Sequence, residues 1–262
     1  MHGRGILSSF DVEGLSVEVT QKERIDKLLV ERGMVPSRER ARALIMEGRV
    51  TVDRETVEKP GTLIKVEATL QIQGDHLPYV SRGGLKLEAA LMAFEVVPKG
   101  KVVIDVGSST GGFTDCVLQK GAKKVYAIDV GYGQLAWKLQ QDPRVVNLER
   151  RNIRYLKRGE VSEEADLIVV DTSFISIEKF LPHLAGFLKE GGDLLCLIKP
   201  QFEVGKGEVG KGGVVRDSNL HQKVVDRISH FSQGLGLTVG GIIESPLLGP
   251  KGNKEFFIHL KK

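Results

Sequence analysis

Two ammonium groups and two carboxylates, Lys86, Asp171, Lys199 and Glu255, stand in this sequence where short apolar runs begin or end. A lysine can take a proton from a weak acid when it is neutral or stabilise a forming anion when it is charged. A second group of interest lies in Val103-Ile104-Asp105-Val106-Gly107-Ser108-Ser109-Thr110-Gly111-Gly112-Phe113. Glycine there lets a ligand approach the backbone, and the free amides at the start of the following helix attract a carboxylate or phosphate. Asp105 precedes the loop and can accept from an ammonium group. Asp129, at the end of the next apolar run, can take two ribose hydroxyls. Together with Gly107, Ser108, Ser109, Thr110, Gly111, Gly112 and Phe113 they outline a cofactor site whose demands S-adenosylmethionine meets. The plainer alternative is that Asp105 caps the loop and Asp129 ends a strand.

The spacing speaks against two other ligands. Ser109 occupies the place of the second glycine in G-x-G-x-x-G, which disfavours a dinucleotide. A later string, Gly205 to Gly210 followed by Lys211, nearly spells a P-loop but has Gly212 where a Mg²⁺-binding Ser or Thr belongs; it reads as a mobile cationic loop. The six histidines show no triad or metal spacing, and no metal is expected. Cys116 and Cys196 have no CxxC spacing and read as buried thiols.

The elements that must position these residues follow from periodicity. Near-continuous apolar runs at Val102–Val106, Val125–Val130, Val145–Leu148, Leu167–Asp171 and Leu194–Ile198 alternate with helical stretches near Phe113–Gln119, Gly133–Gln140, Ile177–Leu188 and Leu220–Gly234. That alternation predicts a parallel sheet covered on both faces. Val239–Ile243 and Glu255–Leu260 are too closely spaced for a crossover helix and should pair as an antiparallel hairpin. The expected fold is α/β: a Rossmann-like, mostly parallel seven-stranded sheet of the methyltransferase kind. Strand ends in such sheets border the active crevice. Leu85–Phe94 is an amphipathic helix ahead of the first strand.

Upstream, a smaller α+β unit is expected. A helix from Glu23 with Ile25, Leu28 and Leu29 on one face ends at Gly33. A second, capped by Ser37, buries Ala41, Leu44 and Ile45 and closes at Gly48. Gly48–Val52 and Leu63–Ile72 follow as short strands, with Pro60-Gly61 as the turn. The expected organisation is a tail over 1–21, the small domain over 22–73, a linker over 74–82 and the large domain over 83–262. At 262 residues the chain is long enough for both, and its net charge of +4 leaves room for a locally basic surface. No run approaches the roughly 18 apolar residues that cross a bilayer, and no signal peptide is visible, so a cytoplasmic location is expected.

Ser81-Arg82-Gly83-Gly84-Leu85-Lys86-Leu87, the 105–115 glycine segment, Val170-Asp171-Thr172-Ser173-Phe174-Ile175-Ser176 and Ile198-Lys199-Pro200-Gln201-Phe202-Glu203 together resemble the TlyA family of ribosomal RNA methyltransferases, part of the FtsJ-like 2′-O-methyltransferases. The resemblance spans residues about 22 to 260. It implies a Lys-Asp-Lys-Glu catalytic tetrad at Lys86, Asp171, Lys199 and Glu255, S-adenosylmethionine as cofactor, and ribose methylation at cytidine in ribosomal RNA. The plainer alternative for the four is two ordinary surface ion pairs.

The stretch from Glu23 to Ala41, with Gly48-Arg49-Val50-Thr51-Val52, is similar to the S4 RNA-binding domain. Arg24, Arg38, Arg42 and Arg49, with Arg82 in the linker, are the expected RNA contacts, and ribosomal RNA or ribosomal subunits the expected partners. Because Glu31, Glu39 and Glu47 are interleaved, a solvated charged helix face is the alternative from charge alone. Two further functions stand as rivals, a non-catalytic RNA-binding or ribosome assembly factor and a haemolysin-like protein. The tetrad opposes the first, and the absence of a spanning or strongly basic amphipathic segment opposes the second.

Overall fold

The computed structural model describes residues 21–35, 37–46, 48–72, 78–205 and 207–262. The expected tail up to residue 20, Glu47, positions 74–77 of the expected linker and position 206 of the second glycine string lie outside these residues. The chain divides into two compact units, Met1–His76 and Leu77–Lys262.

The smaller unit runs β1 (Lys22–Arg24), α1 (Ile25–Glu31), α2 (Arg38–Met46), β2 (Val50–Val52), β3 (Glu55–Thr56), β4 (Leu63–Lys65) and β5 (Leu70–Ile72). Ile25, Leu28 and Leu29 of α1 meet Ala41, Leu44 and Ile45 of α2 in its core, the faces expected from their spacing. Gly33 and Gly48 take left-handed backbone after the two helices, and the Arg40 amide donates to Ser37 Oγ at 3.2 Å. The strands differ from expectation in three places. Glu23 belongs to β1, which pairs antiparallel with β4, and the helix begins only at Ile25. Pro60-Gly61 does form a turn, closed by Thr62 N to Lys59 O, but it leads from β3 into β4; β2 first pairs with β3, a strand not expected, through a tight hairpin at Asp53-Arg54, both at positive φ. Leu63–Ile72 is two strands: a turn closed by Ala68 N to Lys65 O sends β4 to β1 and β5 to β2.

The larger unit runs α3 (Gly83–Ala93), β6 (Val102–Val106), α4 (Gly112–Gln119), β7 (Lys124–Ile128), α5 (Trp137–Gln140), β8 (Val145–Leu148), β9 (Ala165–Val170), α6 (Leu181–Ala185), β10 (Leu188–Ile198), α7 (Pro200–Glu203), α8 (Ser218–Gly234), β11 (Thr238–Glu244) and β12 (Phe256–Lys261). Its seven-stranded sheet has the order β11-β12-β10-β9-β6-β7-β8. All neighbours are parallel except the pairs of β12 with β10 and β11. This is the expected sheet with its closing antiparallel hairpin. Alternate residues of each buried strand face opposite sides, so Ile104 and Ile168 enter one core and Val103 and Val169 the other. The chain order reverses direction across the sheet between β6 and β9, which opens a crevice at their C-terminal ends.

Two helical expectations were too long. Gly133, at φ 65, and the extended Ala136 leave only Trp137–Gln140 helical. Within Ile177–Leu188, a 3-10 turn at Ile177–Lys179 precedes α6, and Leu188 already belongs to β10. Cys116 and Cys196 are buried free thiols; burial pushes Cys116 up to about 12, so it stays protonated.

Candidate active site

The β6–α4 loop carries the glycines. Gly107 has φ 83, and a Cβ there would lie 2.4 Å from the Asp171 carbonyl oxygen, so the loop can lie against the end of β9 only as glycine. Gly111, at φ 95, leaves the same kind of room for Leu135 and Leu139. A Cβ on Gly112 would sit 2.2 Å from Ser81 Oγ, so this glycine serves the close approach of α3 and α4. The demand for glycine thus comes first from the chain's own packing and not only from ligand approach.

A cavity of ≈ 550 Å³ opens at the crevice, bordered by Gly107, Ser109, Asp129, Asn152, Asp171 and Phe174 among others. Asp129 accepts from the Ser109 amide at 2.8 Å through Oδ2 and from the Gly131 amide at 2.7 Å through Oδ1. Each oxygen keeps a lone pair for a further donor. Ser108 and Phe113 are buried and Thr110 is exposed; none of the three borders the cavity. Asp105 is wholly buried. Its Oδ2 accepts from Thr114 Oγ1 at 2.6 Å, and its Oδ1 has no hydrogen-bond partner among the described residues. Burial pushes its carboxyl up to about 7, against the Thr114 hydrogen bond and with the help of the Asp171 charge.

The four ionisable residues form two pairs. Lys199, at the end of β10, places Nζ 2.5 Å from Asp171 Oδ1 and donates to Ser173 Oγ at 3.0 Å. Lys86, on α3, places Nζ 2.6 Å from Glu255 Oε2, just ahead of β12. The first pair is partly and the second almost wholly withdrawn from solvent; the side chains of Lys199 and Asp171 are 10% and 24% exposed, those of Lys86 and Glu255 12% and 0%. This burial separates them from ordinary surface pairs, which are worth about 0–1 kcal/mol. Of the four, Asp171 borders the cavity.

Several contributors were not singled out from the sequence. Ser173 is one, hidden inside the Asp171–Ser176 run. Arg151 and Arg154 border the cavity, and the Arg-Arg-Asn-Ile-Arg run that supplies them was the available signal. Phe174, at φ 64 and 89% exposed, stands beside Phe202 with ring centroids 4.8 Å apart. Glu203, on α7, accepts from Ser176 Oγ, the Ile177 amide and Arg227 Nη2 at 2.7 to 2.9 Å and so ties the 172–177 loop to α7 and α8. Asn253 accepts from the Val215 amide and donates to the Gly213 and Pro250 carbonyls, fixing the glycine-rich loop to the turn ahead of Glu255.

In the smaller unit Arg24 and Arg38 both bind Asp26. Arg42 is exposed and Arg49 half-buried, while Arg82 of the larger unit is exposed at the start of α3. Among the described residues no helix is long and apolar enough to cross a membrane, and no His, Cys, Asp and Glu group could hold a metal ion.

Comparison with known proteins agrees with this geometry. Residues 79–262 match the FtsJ-like methyltransferase model and residues 23–70 the S4 domain model. The chain is 50% identical over 242 residues to the Bacillus subtilis protein named "Putative rRNA methyltransferase YqxC", covering 92% of this chain and 86% of that one. It is 45% identical over 244 residues to the "16S/23S rRNA (cytidine-2'-O)-methyltransferase TlyA" of Mycobacterium tuberculosis, covering 93% and 91%. A solved structure described as "Putative hemolysin from Streptococcus thermophilus" superposes with TM-score 0.74 at 44% identity, covering 93% and 90%.

Proposed function

The chain belongs to the TlyA family, in which an S4 domain accompanies an FtsJ-like methyltransferase domain, and from that premise we propose that it methylates the ribose 2′-hydroxyl of cytidine in ribosomal RNA with S-adenosylmethionine as methyl donor. The observation that carries this reading is the Lys199–Asp171 pair, because Asp171 borders the same cavity as Gly107, Ser109 and Asp129.

The residues present fit the cofactor. The cavity lies within the usual size of small-molecule sites, about 300–1,000 Å³. Asp129 holds lone pairs toward it for a pair of ribose hydroxyls, and the loop Gly107 to Phe113 leads into α4 beside it. When bound, S-adenosylmethionine supplies a methyl group on a sulfonium centre, an electrophile that needs no further activation.

The chain's own task is the nucleophile. A ribose hydroxyl is a very weak acid, so its oxygen attacks only as its proton leaves or as the growing negative charge is matched by a cation. Lys199, held by Asp171 and Ser173, would do one or the other at the 2′-oxygen. Lys86, held by Glu255, adds the second ammonium group. The withdrawal of both pairs from water strengthens each of these interactions. Arg24, Arg38, Arg42 and Arg49 in residues 22–73, and Arg82 in the 74–82 linker, would hold RNA phosphates while residues 83–262 carry out the transfer.

The test is transfer of labelled methyl from S-adenosylmethionine to purified ribosomal subunits and to deproteinised rRNA, with digestion and identification of the modified nucleoside. A 2′-O-methylcytidine is expected. Cofactor binding with no transfer to either substrate would replace this reading with that of an RNA-binding assembly factor.

A further inference from the structure

Among the described residues of the smaller unit, Asp26 is the buried carboxylate; every other Asp and Glu there is at least partly exposed. It is 0% exposed, and its backbone amide is fixed to the Pro60 carbonyl. Both its oxygens are taken by arginines. Arg24 forks onto it, Nε to Oδ1 and Nη2 to Oδ2 at 3.0 Å each, and Arg38 Nη2 reaches Oδ2 at 3.1 Å from the start of α2. The two arginine side chains remain 45% and 52% exposed. The carboxylate is therefore inside and the guanidiniums form the outer layer. Gly61 completes the seat, since the Arg24 guanidinium passes 3.7 Å from where its Cβ would be.

A buried carboxylate between arginines is a poor device for stability alone, because apolar residues of similar volume serve as well or better. It also subtracts one charge from a face meant to attract a polyanion. What it provides is geometry. An unheld arginine carries large rotamer freedom that must be lost on binding, whereas these two are already held side by side with N–H groups left for a partner. We propose that Asp26 is a positioning residue for RNA: it locks Arg24 and Arg38 into one pre-set pair that grips backbone phosphates. This rests on the RNA-binding reading of the smaller unit and adds to it what sets the arginines in place.

Charge and geometry predict opposite signs, which makes the inference testable. The full chain would be titrated with deproteinised rRNA at several salt concentrations. If geometry governs, Asp26→Asn weakens binding by about tenfold, although it makes the protein more positive, and flattens the salt dependence by about one phosphate contact. It should add little once Arg24→Ala and Arg38→Ala are both present. Equal or tighter binding by Asp26→Asn would overturn the inference. Should Asp26→Asn unfold the smaller unit by circular dichroism, Arg24→Lys carries the test: it keeps the charge and loses the fork, so weakened binding is expected and unchanged binding overturns the inference. If Arg24→Ala, Arg38→Ala and Arg42→Ala all bind as the parent does, the RNA-binding reading itself falls. If they weaken binding while Asp26→Asn does not, only the positioning role falls.

Discussion

Gly249 and Glu255 compete for one volume: a Cβ on Gly249 would lie 2.0 Å from Glu255 Oε1. The backbone at Gly249 is extended, with φ −72, so space rather than torsion demands glycine. The atom in the way is the end of a flexible side chain, and the fold can accept Gly249→Ala by moving that carboxylate. The cost falls on the Lys86–Glu255 pair. We expect Gly249→Ala to keep its melting temperature within a few degrees while methyl transfer drops about tenfold or more, in line with loss of one oriented electrostatic group. Single-turnover methylation beside thermal denaturation checks this; full activity would detach Glu255 from the chemistry.

Lys199→Ala should lower methyl transfer by about 10²–10⁴-fold while cofactor affinity, measured by calorimetry, stays near that of the parent. Lys199→Arg separates the two roles open to this lysine. Arginine keeps the charge and cannot act as a base at neutral pH, so substantial activity in that variant would assign Lys199 to charge stabilisation.

Asp105 ties stability to pH. Burial raises its carboxyl to about 7 in the folded chain, above the ordinary carboxylate value, so the folded state holds a proton that the unfolded state has released. Stability from this group is therefore fully present below about pH 4, is lost as pH rises toward 7, and stays at its lower level beyond. Asp105→Asn should match the parent near pH 4 and exceed it by an amount on the order of 5 °C in melting temperature at pH 8. A difference independent of pH would contradict the buried protonated carboxyl.

Glu203→Ala should destabilise the larger unit by about 2–3 kcal/mol in chemical denaturation, because it leaves the buried Ile177 amide without an acceptor and takes one of several acceptors from Arg227. Since Glu203 also binds Ser176, proteolysis under native conditions should become faster within 172–177. An unchanged denaturation midpoint would show that the Phe174–Phe202 and Lys199–Ser173 contacts suffice to hold this loop.

The central strands were legible because they are buried on both faces and so read as apolar runs; Val102–Val106 matches residue for residue, as does the half-buried edge strand Val145–Leu148. β1 was not, since Lys-Glu-Arg has no strand pattern and is extended only because β4 lies beside it. The run from Ile177 looked like one helix because periodicity does not register where a 3-10 turn gives way, at Pro182, to a short helix and then a strand. In the site, the tetrad positions were visible as a charged set, but their pairing as Lys86 with Glu255 and Lys199 with Asp171 needed the fold. Asn253, Glu203 and Asp26 are ordinary surface types by composition, and only burial reveals what they hold.

The cofactor-side carboxylates and the Lys86–Glu255 pair differ greatly in how much chain lies between their members. Asp105 and Asp129 belong to one compact β6–α4–β7 stretch, whereas Lys86 and Glu255 stand 169 residues apart and meet only once β12 has entered the sheet between β10 and β11. Contacts of such long range form late, after the loop-closure entropy has been met. A chain arrested with its early strands in place would then hold a cofactor pocket with no means of using it. On that order of assembly methyl transfer would be the last property the chain acquires, and the ratio of transfer to cofactor binding would report how much of a preparation has its final hairpin in place.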